Sequence, residues 1–159
     1  WSGRKTAFGS FGAIAPNYYL VDGVVPRTKL VEVLRLVGDL SERYGIVIAN
    51  VFHAGDGNLH PCMLFDEREP GISDKVMAAA SELMEYCAAV GGTLSGEHGI
   101  GLEKKEFMPL VFNHDDMNNM KQARDAFAPK NNLNPGKIFP DGSEPYLSPQ
   151  KETSPGLYI

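Results

Sequence analysis

Residues 46–65 read IVIANVFHAGDGNLHPCMLF: two apolar, β-branched runs joined through an Asp-Gly pair. An Asp-Gly dipeptide between such runs is a strong hairpin signal, because a type I′ turn needs positive φ at both central residues. A turn centred on Asp56-Gly57 sets Gly55 across from Asn58, Ala54 across from Leu59, and His53 across from His60. Residues facing one another in an antiparallel pair have Cβ atoms about 4.5–5.5 Å apart on the same face. Two imidazoles held that way suit one shared metal ion. The first run, Ile46 to His53, is almost wholly apolar, which predicts a strand covered on both faces.

Outward from the hairpin, strands and helices alternate. Tyr18 to Val25 (YYLVDGVV) reads as a strand closed by Pro26. Between Thr28 and Tyr44, Leu30, Val33, Leu34, Val37, Leu40 and Tyr44 form a helical stripe that Gly45 stops. A second helix starts at Ser73-Asp74, carries Val76, Ala80, Leu83, Cys87 and Val90 on one side, and ends at Gly91-Gly92. A short extended piece, Thr93-Leu94-Ser95, follows. Strand, helix, strand, strand, helix, strand is the ferredoxin-like split βαβ order, an α+β sandwich with helices on one sheet face. Additional C-terminal helices are expected at 102–112 and 115–128. The opening WSGRKTAFGSFGA shows no period and begins without Met, as a chain starting inside a larger protein would. Residues 1–140 form one expected domain. Residues 141–159, rich in Pro, Ser, Glu and Lys, read as a poorly ordered or surface tail.

A length of 159 residues with 43% hydrophobic content supports one real core. A net charge of −5 argues against a nucleic-acid partner, which would want a basic face. No apolar run reaches the roughly 18–20 residues of a transmembrane segment, and no signal peptide opens the chain. Cys62 and Cys87 lack CxxC spacing and sit among apolar residues. They read as free thiols of a reducing compartment, the cytoplasm.

The second informative stretch is GGTLSGEHGIGLEKK, residues 91–105. Five glycines fall between 91 and 101, and a loop so costly to order usually bends sharply or approaches something closely. Glu97 and His98 stand at its centre. The spacing matches neither a P-loop nor GxGxxG after a strand. If this loop meets the hairpin, His53, His60 and Glu97 make a set of two imidazoles and one carboxylate, which leaves a coordination position open as catalytic sites do. Asp56 and Asn58 are turn formers by residue type. Lys104 and Lys105 read as a solvated first turn, and His114 as an exposed helix start. Asn134 and Lys137 in NPGK read as fixing the chain's exit.

VFHAGDGNLHP and LSGEHGIGLEK together resemble the paired motifs of the C-terminal domain of FAD-linked oxidases, a family that includes the glycolate oxidase flavoprotein subunit and the D-lactate and D-2-hydroxyglutarate dehydrogenases. LNPGKIFP (133–140) resembles the family's closing segment, and APNYYLVDGVVPRTKL the strand and helix leading in. The resemblance implies an N-terminal domain holding FAD, which this chain would cap. It implies a divalent metal, often zinc, on His53, His60 and Glu97, which holds the oxygens of a small 2-hydroxy acid. It makes His98 the base that takes the hydroxyl proton while hydride leaves for the flavin. Arg4 resembles an arginine that grips the substrate carboxylate. Asn58 and Asn134 stand as cofactor-binding candidates beside their turn and exit readings. Phe8 and its apolar neighbours replace the Thr and Lys of relatives that take longer diacids, so a short acid such as glycolate or lactate is expected. An iron–sulfur subunit or other electron acceptor is an expected partner.

Two other classes fit the same residues. A metal-dependent hydrolase would use the two histidines and the glutamate with an activated water. A non-catalytic module binding small acids would use the ferredoxin-like fold alone.

Overall fold

The computed structural model describes residues 2–142, with side chains from residue 6 onward. Four strands form one antiparallel sheet: β1 (Asn17–Leu20), β2 (Gly23–Val24), β3 (Val47–His53) and β4 (Asn58–Phe65). β4 is central. It pairs with β3 on one side and with β1 and β2 on the other. Beyond β2, Val24 and Thr93 exchange backbone hydrogen bonds of 3.1 and 2.9 Å. With β1 and β2 counted as one interrupted strand, neighbours across the sheet run second, third, first, fourth, the ferredoxin-like order. The fourth strand, expected over 93–95, is reduced to this single bridge.

The interruption between β1 and β2 has a chemical cause. The pairs Leu20↔Cys62 and Gly23↔Leu59 keep one register, so Val21 and Asp22 stand across from Pro61 and His60. Val21 N–H donates to Pro61 O at 3.1 Å, but proline has no N–H to return the bond. The ladder lapses there, and the lapse falls beside Asp22.

α2 (Leu30–Tyr44) and α3 (Ile72–Ala89) cover one face of the sheet, close to their expected bounds. Val33, Val37 and Leu40 of α2 and Val76, Ala80, Leu83 and Cys87 of α3 meet Tyr19, Leu59, Met63 and Phe65 in the main core. Fully burying a side chain such as Leu40 or Leu83 contributes about 1.5–3 kcal/mol. Residues at the even positions of β4 point to the other face, where Phe11, Cys62 and Leu64 form a smaller cluster under α1 (Ser2–Phe11). α1 was not legible in the sequence. It docks through aromatic edges, with Phe11 and Tyr18 centroids 6.0 Å apart and Phe8 and Phe11 5.4 Å apart.

Four expectations need correction. β3 is an edge strand and partly exposed, whereas every residue of β4 is buried. The hairpin loop spans Ala54–Gly57, and His53 pairs with Asn58 while His60 pairs with Val51. Of the two expected turn residues only Gly57 takes positive φ, at 72°; a Cβ there would also lie 2.1 Å from Val25 O. The helix expected over 102–112 is a 3₁₀ segment, Lys105–Leu110, holding Pro109, which removes an i→i−4 donor. Lys104 and Lys105 are buried rather than solvated. α4 (His114–Phe127) stands near its expected place behind an Asn113–Asp116 capping box. His114 is exposed at its start, as expected. Among the described residues no helix is long and apolar enough to cross a membrane. The expected tail lies outside the described residues, except for Asp141 and Gly142.

Candidate functional site

The site forms on the sheet face away from α2 and α3. In the observed register His53 and His60 are diagonal neighbours on one face, since His53 pairs with Asn58 two residues from His60. Their rings lie 5.6 Å apart with planes at 90°. The loop after Thr93 crosses this end of the sheet and delivers Glu97 to both: Glu97 Oε1 is 3.0 Å from His60 Nε2 and 3.5 Å from His53 Nε2. The loop and the hairpin therefore meet. Gly96 permits the approach, because a Cβ on it would come within 2.6 Å of Asn58 Nδ2 and 2.8 Å of Val24 Cγ2. His98 follows, its ring stacked on His60 at 4.9 Å and 20°.

Asp22, missed in the sequence, lies at the bottom of the site and is fully buried. Its Oδ2 accepts hydrogen bonds from Ser95 Oγ (2.6 Å), His98 N (2.9 Å), Gly96 N (3.1 Å) and Glu97 N (3.2 Å). Lys104 Nζ adds a fifth donor at 3.3 Å. Its Oδ1 stands 3.4 Å from His60 Nε2. Burial alone would raise the Asp22 pKa. The hydrogen bonds from Ser95 and the His98 backbone, with the Lys104 charge, outweigh it and hold the carboxyl far below the usual range. A signal for Asp22 was present: one acid inside YYLVDGVV has no place on a covered strand unless partners are waiting.

His60 stands buried among charged and titratable neighbours. Burial and the nearby His98 push its pKa down, against Asp22 and Glu97, which favours the neutral imidazole that metals bind. Its Nε2 is buried and makes no hydrogen bond with any described residue, despite the close carboxylates. A buried polar atom left so is costly, and a bound cation would satisfy it. Asp22, His60, Glu97 and His98 each offer a ligand atom within 4.8 Å of the others, a group that does not include His53. Mixed imidazole and carboxylate donors suit zinc and similar divalent ions. A cleft of about 470 Å³ opens over the site, lined by His53, Asn58, Ser95 and Glu97 among others.

Of the remaining candidates, Asn58 adjoins the site and Asn134 does not. Asn58 is buried beside Gly96, with its Oδ1 unbonded among the described residues. Asn134 is exposed at φ 47°. Its segment is tied down through Ile138 N to Gly101 O (2.8 Å) and Lys105 Nζ to Asp141 Oδ2 (2.7 Å). The Arg4 side chain lies outside the described residues.

Residues 1–138 match the family model described as "FAD linked oxidases, C-terminal domain". The chain belongs to that family. Among its relatives, the glycolate oxidase subunit GlcD of Escherichia coli strain K12 is 47% identical over 140 residues, covering 88% of this chain and 28% of that protein. GlcD of Bacillus subtilis is 35% identical, covering 86% of the chain and 29% of that protein. A D-lactate dehydrogenase of Archaeoglobus fulgidus is 37% identical, covering 75% and 26%. This FAD-linked oxidase C-terminal domain thus spans under a third of the length of these relatives. Its two histidine-bearing motifs are the segments that the fold brings together around Glu97.

Proposed function

We propose that the chain is the cap and substrate domain of an FAD-dependent 2-hydroxy-acid oxidoreductase acting on a short acid of the glycolate or D-lactate type. An FAD-binding domain of the same protein would supply the flavin that accepts the hydride, and an iron–sulfur subunit or similar protein would take the electrons onward. His53, His60 and Glu97 would hold a divalent metal, zinc by donor type, which when bound makes a hydroxyl on it more acidic. The buried free thiols Cys62 and Cys87 suit a reducing, cytoplasmic setting.

The observation that carries the ligand assignment is the relation of the three rings. A ring nitrogen's lone pair lies in the ring plane. The planes of His53 and His60 cross at 90° and both Nε2 atoms face the same Glu97 oxygen, so these three residues would hold one ion between them. His98 also offers a ring nitrogen to this group, but its ring is stacked nearly parallel on His60, a poorer arrangement for sharing one ion, so it is assigned the role of base. His98 is also exposed, which suits a base that takes the hydroxyl proton at a ring nitrogen. Arg4 would grip the carboxylate with its planar fork, and Asn58 and Asn134 would contact the flavin. Zinc titration of the chain tests the ligand set. Stoichiometric binding that His60→Ala abolishes is expected, and zinc binding unchanged in that variant would contradict the assignment.

A further inference from the structure

We propose that Asp22 is the positioning residue of this site: a buried carboxylate that folds the Ser95–His98 loop onto the sheet and thereby sets Glu97 against the histidines. The inference rests on the metal site just proposed and gives Asp22, which also offers a ligand atom there, a positioning role instead.

Three successive backbone N–H groups, of Gly96, Glu97 and His98, converge on Asp22 Oδ2 at 2.9–3.2 Å. Such a run of amides is a nest that ordinarily receives an anion, and here the chain supplies its own. Ser95 Oγ extends the grip, donating to Asp22 at 2.6 Å and accepting from Gly99 N at 2.7 Å. One carboxylate oxygen therefore orders the loop from Ser95 to Gly99, the stretch whose glycines would otherwise leave it free.

The other oxygen of Asp22 faces His60. The residue thus ties together the two halves of the site, whose motifs lie apart in the chain. Lys104 keeps the arrangement neutral. It is almost fully buried, and its ammonium lies 3.3 Å from Asp22 Oδ2. A buried carboxylate without that cation would carry a large desolvation cost. Among the described residues, the groups facing Asp22 are Ser95, Gly96, Glu97 and His98 from the loop, Lys104 from the segment after it, and His60 from β4.

The test uses the full chain in two measurements. In the metal-free chain, amide exchange followed by NMR should show Gly96, Glu97 and His98 protected. Asp22→Asn should remove that protection at Glu97 and His98 and lower it at Gly96, whose N–H also donates to the Asp22 backbone carbonyl at 3.2 Å, while Leu59 and Met63 of β4 keep theirs. Ser95→Ala, which deletes one donor and leaves the charge, should weaken loop protection partway and covers the case in which Asp22→Asn fails to fold. Zinc affinity, measured by titration, should fall about 10–100-fold in Asp22→Asn, the range for loss of an outer partner of a ligand. Loop amides that exchange freely in the parent chain, or stay protected in both variants, would overturn the inference. So would zinc binding abolished with the loop still protected, since Asp22 would then be a direct ligand. If the parent chain binds no zinc while loop protection depends on Asp22, the positioning role stands and the metal assignment fails.

Discussion

Glu97 Oε1 lies 3.0 Å from His60 Nε2, joining a glycine-rich loop to the central strand of the sheet. Neither group is at the other's position by local structure: β4 places the imidazole, and the loop's anchoring places the carboxylate. The chemistry expected of the chain follows from this contact.

The two histidines differ in burial, and the difference is measurable. His60 has a side chain 5% exposed against 32% for His53, and it is nearer to Glu97. In zinc titrations His60→Ala is expected to abolish binding, whereas His53→Ala should weaken it at least about 10-fold, the lower limit even for an outer-shell loss. Equal affinities for the two variants would mean that the burial difference has no bearing on the site.

Gly96 is expected to tolerate no side chain. A Cβ there would sit 2.6–2.7 Å from the Asn58 amide and 2.8 Å from Val24. Gly96→Ala should cost about 1–3 kcal/mol, as overpacking does, and should lower zinc affinity by moving Glu97. Pairing it with Asn58→Ala opens the space, so the double variant should recover part of the lost stability. Chemical denaturation of Gly96→Ala, Asn58→Ala and the double variant checks this, and no recovery would place the strain elsewhere.

Asp22 predicts how stability responds to acid. Its folded pKa lies below the unfolded value of about 3.9, with burial opposing but the loop donors and Lys104 prevailing. The unfolded chain therefore binds the proton first. The stabilisation is fully present above about pH 4 and is lost as pH falls below that value. Thermal melts from pH 6 to pH 2 should fall less steeply for Asp22→Asn than for the parent chain. Parallel curves would exclude Asp22 from the acid limb.

The isolated chain is expected to be colourless and to oxidise no hydroxy acid. It spans 28% of the Escherichia coli relative, and its glycine loop closes on Asp22 rather than leaving a phosphate cradle. Flavin absorbance at a stoichiometric level in a purified preparation would contradict this.

Much of this was legible because local chemistry dictated it. The stripe from Leu30 to Tyr44 could only be a helix against a core, and Gly45 ends it. The β-branched run before His53 could only extend. Sheet order was harder to read: Ile46 to His53 has the composition of a buried strand yet occupies an edge, because nothing in its own residues says which strand is central. The turn slipped since Asp56 does not take the positive φ that a two-residue turn demands. α1 has no apolar stripe to announce it, holding on through Phe8 and Phe11 instead. Lys104 and Lys105 resemble surface lysines in sequence, and only their partners, Asp22 and Asp141, explain their burial.

The division of labour between ligands and base is the central claim, and His98 tests it most directly. In the full-length flavoprotein proposed to carry this chain, zinc content by elemental analysis and steady-state turnover should be measured for His98→Ala. The account predicts a full complement of zinc with turnover lowered roughly 10²–10⁴-fold, the deficit shrinking as pH rises and the hydroxyl ionises without help. Loss of zinc from His98→Ala would contradict it, and His98 would then be a ligand rather than the base.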